Sequence, residues 1–146
     1  MSVTTVRAAL ITLLSGISGV KRVYAHAPNS MPASELPAFI LITGAARHEP
    51  AAMGRGTIKE ERTYTAVLCI APAQTGGAGE VEAACDPYFA LVRDAVFNAP
   101  TLSGLGGVVS CRLTGDSGIV PGTLGGAGYL AIEFTITVTE RVSAGV

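Results

Sequence analysis

Charge is scarce in this chain of 146 residues: Asp, Glu, Lys and Arg make up only 14% of it, against about 25% in an ordinary globular domain. The net charge of −1 excludes a general affinity for nucleic acid, which depends on many Lys and Arg contacts to phosphates. Cysteine is sparse too. Cys69, Cys85 and Cys111 are odd in number and widely spaced, with none of the close pairs that a zinc site requires, so the reading is three buried free thiols and no metal. No segment approaches the roughly 20 consecutive apolar residues of a spanning helix. The densest N-terminal run, residues 10–14, lies between Arg7 and Lys21-Arg22 and leads to no small-residue cleavage site, so a cytosolic protein without a membrane partner is expected.

What the chain has instead is apolar content. A mean hydropathy of +0.46 with so few charges leaves less polar surface than a soluble monomer usually shows, which points to buried subunit interfaces. The 18 glycines and 8 prolines stay below the roughly 25–30% that marks low complexity. One domain spanning residues 1–146 is expected, long enough to bury a core without disulfides or metal.

Residues 129–141 organise that domain. Leu130, Ile132, Phe134, Ile136 and Val138 alternate with Ala131, Glu133, Thr135, Thr137 and Thr139, and a period of two commits the segment to a strand with one buried face. Five large apolar side chains, each worth roughly 1.5–3 kcal/mol when buried, require a cover. Two helical stripes supply it: Val3, Val6, Leu10, Leu13, Leu14 and Ile17, and, between residues 80 and 98, Val81, Ala84, Tyr88, Leu91, Val92, Ala95 and Val96, each at three- and four-residue spacing. Pro87 either starts the second helix behind an Asp86 cap or marks a turn that kinks into it. Residues 20–24 read as a short extended piece, 37–43 as a central strand covered on both faces, 57–71 as a strand antiparallel to it, and 108–113 as a short strand. Segments 44–56, 73–79 and 115–128 read as flexible loops. The fold class is α+β: a mixed, largely antiparallel four- to five-stranded sheet with two helices packed on one face.

The chemistry-bearing motifs are weak. Gly115-Asp116-Ser117-Gly118 resembles the nucleophile motif of chymotrypsin-like proteases, but only His26 and His48 exist to serve as a base, and that enzyme fold is longer than this chain. Residues 126–131 match a dinucleotide pattern in letters, yet a strand follows where a helix N-terminus is needed. Glu60 and Glu61 are strand neighbours that point to opposite faces and form no carboxylate pair with each other. No catalytic, cofactor-binding or metal-binding residues are assigned. Arg47, His48, Arg55 and Lys59, around the 44–60 hairpin, form the candidate partner-binding tip.

Taken together, the run Leu-Ser-Gly-Ile-Ser-Gly-Val-Lys-Arg-Val-Tyr at 14–24, Leu36-Pro37-Ala38 before an apolar strand, Arg-Thr-Tyr-Thr-Ala-Val-Leu at 62–68, the helix at 89–97 and the strand at 129–141 resemble the tail terminator and tail-completion proteins of long-tailed bacteriophages. The resemblance covers about residues 3–141 and rests on the order of elements, since that family has no catalytic signature. It implies a structural virion protein, assembled in the host cytoplasm, that closes into a ring, typically of six copies, at the head-proximal end of the tail tube. There it stops tube polymerisation and joins the tail to the head connector. The implied partners are other copies of itself, the tail tube protein, the head–tail connector or head-completion protein, and viral DNA passing through the lumen without sequence-specific binding. Arg47, Arg55 and Lys59 are then candidates to face that DNA. The alternatives are a head–tail joining or head-closure neck protein, a related piece of a contractile secretion device, and a small hydrolase using Ser117.

Overall fold

A computed structural model describes residues 3–26, 28, 32–50, 57–72, 78–102, 104–124 and 127–143. Among them are two α-helices, α1 (Val3–Ser15) and α2 (Ala78–Phe97), and five strands, β1 (Arg22–Tyr24), β2 (Ala38–Pro50), β3 (Thr57–Pro72), β4 (Val108–Leu124) and β5 (Ala127–Ser143). The strands form one sheet in the order β1-β2-β3-β5-β4. β1 runs parallel to β2, and the other pairs are antiparallel. The expected mixed α+β fold is the one observed.

The alternation in β5 decides where the core lies. Ile132, Phe134 and Ile136 are fully buried and Val138 nearly so, in one cluster with Tyr64, Ala66 and Leu68 of β3, Phe39 and Leu41 of β2, Val6, Leu10 and Leu14 of α1, and Val92 and Val96 of α2. Both helices therefore cover the same face. Phe134 sits at the middle, its ring centroid 6.5 Å from Phe39 and 6.2 Å from Phe89, distances and tilts at which aromatic edges and faces attract.

The opposite face is sealed at one end only. Leu36, Ala38, Ile40, Cys69, Tyr129 and Ala131 form a second, smaller cluster with Tyr24 and Val67 against it. The connection between β1 and β2 holds this cover in place through a 3-10 turn, Ala33–Glu35. There Arg22 Nη1 donates to Glu35 Oε1 at 2.7 Å, the Tyr24 hydroxyl donates to the other Glu35 oxygen, and the Arg22 guanidinium lies 4.5 Å over the Tyr24 ring. Further along the same face Thr137 and Thr139 are buried, and the Thr114 hydroxyl lies 3.1 Å from that of Thr137. The threonine-rich face is thus partly closed by its own cross-strand pairs. Cys69, Cys85 and Cys111 are buried and in no disulfide, and burial pushes the Cys69 and Cys111 thiols up to about 11.

Three expectations are corrected. Residues 44–50 belong to β2 and pair with β3 as far as Pro50↔Ile58; both faces there are polar, so no hydrophobic period announces the strand. Residues 115–124 and 127–128 are not a loop but the paired arms of β4 and β5, interrupted by register shifts at Leu113/Gly115 and Asp116/Ile119. Those bulges break the alternation that identifies a strand. Finally, α2 begins at Ala78 and runs through Pro87: the proline removes the donor for the Ala83 carbonyl, and Ala83 is exposed, so water can replace it. Residues 73–77, expected as a flexible connection, lie outside the described residues. No helix among the described residues is long and apolar enough to cross a membrane.

Two outcomes follow. Phe134→Ala leaves a cavity at the centre of the core and should lower the unfolding free energy by about 3–5 kcal/mol in chemical denaturation. Glu35 is held below the ordinary carboxylate range, first by the Tyr24 hydrogen bond and then by that of Arg22. Its contribution is therefore complete above pH about 4.5 and fades as pH falls through the lower folded value. Glu35→Gln should remove that part of the acid sensitivity from a plot of melting temperature against pH.

Candidate functional site

The outer half of the β2–β3 hairpin carries the residues singled out from the sequence, and the register sorts them onto two faces. Arg47 lies opposite Glu61, and Glu49 opposite Lys59, with Arg141 beyond Lys59 on β5. Arg47 Nη2 is 3.4 Å from Glu49 Oε1, both well exposed. Opposite charges that face each other across strands stabilise weakly and cancel at a distance, so Arg47 and Lys59 form no bare cationic patch. His48 points to the other face, which is the helix-covered one, where its Nε2 is 3.2 Å from Glu60 Oε2. Of the three candidates that are described, Arg47 and Lys59 thus share one face and His48 lies on the other; Arg55 lies outside the described residues.

The helix-side face of this hairpin holds a charge cluster that pattern reading missed. Glu60 stands directly opposite Glu140 of β5. Arg62, two residues along β3, donates from Nε to Glu60 Oε1 at 3.1 Å and from Nη1 to the Gly44 carbonyl at 2.9 Å. Glu140 is only 6% exposed, and burial, reinforced by Glu60, pushes its carboxyl above the ordinary range while Arg62 opposes both. Tyr64, next on that face, is pushed up to about 12, chiefly by burial. The signal was present in the sequence, since Glu140 continues the even-numbered series of Leu130–Val138, but only the β3–β5 register sets it against Glu60.

Two further features lie at the edges of the sheet. Along one edge, a cleft of about 540 Å³ opens between α2 and β4, lined by Val96, Phe97, Pro100, Cys111 and Leu113 and flanked by Arg93 and Arg112. Phe97, the last residue of α2, is 81% exposed, and Val109 of β4 is 49% exposed. Along the opposite edge a cleft of about 380 Å³ lies between α1 and β2, lined by Arg7, His26, Leu41, Ile42 and Thr43, with Ile42 47% exposed. Arg7 crosses from α1 to this edge, donating to Thr43 Oγ1 at 2.7 Å, to the Leu41 carbonyl at 3.1 Å and to the Ala25 carbonyl. It occupies main-chain acceptors just past the last β1 pair, Tyr24↔Ile40.

Ser117 has a structural employment. Its hydroxyl donates to the Gly118 carbonyl at 2.8 Å and accepts from the Glu133 amide at 3.0 Å, while Asp116 Oδ1 accepts from the Gly118 amide at 2.9 Å. These bonds fill the ladder at the bulge where Gly118 takes φ 70°, a conformation that side chains disfavour. Neither histidine is among its partners. No group of three or more His, Cys, Asp or Glu residues among those described is placed to hold a metal ion. No protein-family model matches the chain, and no curated protein matches it significantly.

Arg7→Ala should cost about 1.5 kcal/mol, the scale of hydrogen bonds to a charged donor that is only half-buried. It should also raise aggregation on heating, because it bares part of the β2 edge. Denaturation midpoints and light scattering measure the two effects.

Proposed function

We propose that this chain is a ring-forming structural subunit of a bacteriophage tail. It closes into a ring, of six copies as the family resemblance implies, at the head-proximal end of the tail tube, where it ends polymerisation and joins the tail to the head connector. The observation that carries this reading is the pair of unlike apolar features on opposite edges of one sheet: Phe97 with the α2–β4 cleft, and Ile42 with the α1–β2 cleft. Different patches on opposite sides of a subunit are what a closing head-to-tail interface requires. The low charge content supports the same conclusion.

The two long hairpins support an axial role. β2 ends at Pro50 and β3 begins at Thr57 at the end of the sheet where Thr57 meets Ser143, whereas β4 ends at Leu124 and β5 begins at Ala127 at the other end, where Pro72 meets Tyr129. One hairpin then serves the tube and the other the connector. Arg47, Lys59 and Arg141 share their face with Glu49 and Glu61, a surplus of a single cation, which suits a lumen past which DNA moves without being held, because retention on phosphates needs many such contacts.

Native mass spectrometry on the purified protein, alone and with tail tubes, tests the ring. Phe97→Glu and Ile42→Glu should each abolish it, and mixing the two variants should restore a single contact and give dimers, the pattern expected of head-to-tail patches. Failure of the wild type to form rings in both conditions would refute the reading. Electron microscopy of particles lacking the gene separates a terminator, which leaves overlong tails, from a neck protein, which leaves tails of normal length detached from heads. Labelling of Ser117 by a phosphonate probe would instead favour the hydrolase.

A further inference from the structure

The β2–β3 hairpin is bent at one place. The register shifts between Thr43 and Ala46, and at Gly44 a Cβ would stand 2.6 Å from Thr63 Oγ1 and 2.7 Å from the Thr63 carbonyl, so only glycine lets the two strands come this close. At the bend Arg62 of β3 bridges the two arms, holding the Gly44 carbonyl of β2 with one nitrogen and Glu60 with another, while the outer arm of β3 stays paired with β5. His48, on the outer arm of β2, lies 3.2 Å from the second oxygen of that same Glu60. Directly across from Glu60 is Glu140, 6% exposed.

We propose that Arg62, Glu60 and Glu140 form a buckle, operated by the proton on Glu140, that sets how firmly the outer arms of β2 and β3 are held to each other and to β5. Directly opposed residues of an antiparallel pair have Cβ atoms about 4.5–5.5 Å apart, and like charges there repel. With Glu140 ionised, two carboxylates stand side by side and compete for the single cation Arg62. With Glu140 protonated, the repulsion is gone and Arg62 is committed to Glu60 and the Gly44 carbonyl, so the buckle closes.

Among the described residues, the groups facing Glu140 are Glu60 and Arg62 of β3. Tyr64 is next on that face and interacts with Glu140, Arg62, Glu60 and Arg7 of α1. On β4 the position beside Glu140 is the apolar Val108. Burial and Glu60 raise the Glu140 carboxyl above its ordinary value of 4.5. Its favourable contribution is therefore complete below that value and lost as pH rises through the raised one, the reverse of Glu35.

Hydrogen exchange on the full chain at pH 4 and pH 8 tests this, comparing protection factors of residues 45–49 and 58–61 with those of 64–68 and 132–136. In the wild type, protection of the outer arms should fall on going to pH 8, while the inner ladder is unchanged. Glu140→Gln, a neutral mimic of the protonated acid, should keep the acid-level protection at both pH values. A flat wild-type profile, or the same fall in Glu140→Gln, would overturn the proposal. Should that variant fail to fold, an NMR titration of the wild type decides: an inflection shared by the Glu140 carboxyl and the amides of 45–48 and 60–62 supports the buckle, and its absence refutes it.

Discussion

The β3–β5 ladder is the interaction on which the rest of this structure depends. It runs from Thr57↔Ser143 to Pro72↔Tyr129 with a single register shift, near Cys69, and it sets Tyr64, Ala66 and Leu68 beside Ile136, Phe134 and Ile132 on one face. That row is the floor on which both helices rest. A slip of one residue would turn all of these side chains to the other face, leaving Val6, Leu10, Val92 and Val96 with nothing to pack against. β2 and β4 are then added on either side, so that every other element takes its position from this one register.

The edges follow from that arrangement and show how a sheet with two open sides is kept from pairing indiscriminately. β4 is an edge strand with three register shifts and Pro121 in its length, and where β1 ends Arg7 is placed on the Leu41 carbonyl of β2 and on the Ala25 carbonyl. Bulges, prolines and charged groups of this kind discourage strand addition. The apolar side chains left exposed at the two edges, Phe97 and Ile42, therefore offer contacts between side chains rather than further sheet. Such contacts are weak one at a time and gain strength when a closed arrangement makes them all together.

Much of the fold was legible because burial imposes a period. The strict alternation of 130–138 and the helical stripes of 3–17 and 80–98 identified the elements and the covered face. The segments misread as loops, 44–50 and 115–124, are strands whose faces are polar or whose bulges break the period, so the pattern that reveals a strand was missing while the backbone pairing persisted. The candidate hairpin residues divided for a related reason: Arg47, His48 and Lys59 are neighbours in sequence or across the turn, but alternation puts His48 on one face and the other two on the opposite one. The Glu60–Glu140 opposition lies 80 residues apart in sequence and is set by a register that local patterns do not encode.

The two hairpins leave the sheet at opposite ends yet share the β3–β5 ladder, since β3 is an arm of one and β5 an arm of the other. A pull on both turns along the strand direction consequently loads that ladder in shear. Its hydrogen bonds lie across the line of force and are strained side by side, instead of opening one after another as they would if peeled from an edge. A load applied along the strands at one end of the sheet is thereby carried to the other through the β3–β5 backbone pairing.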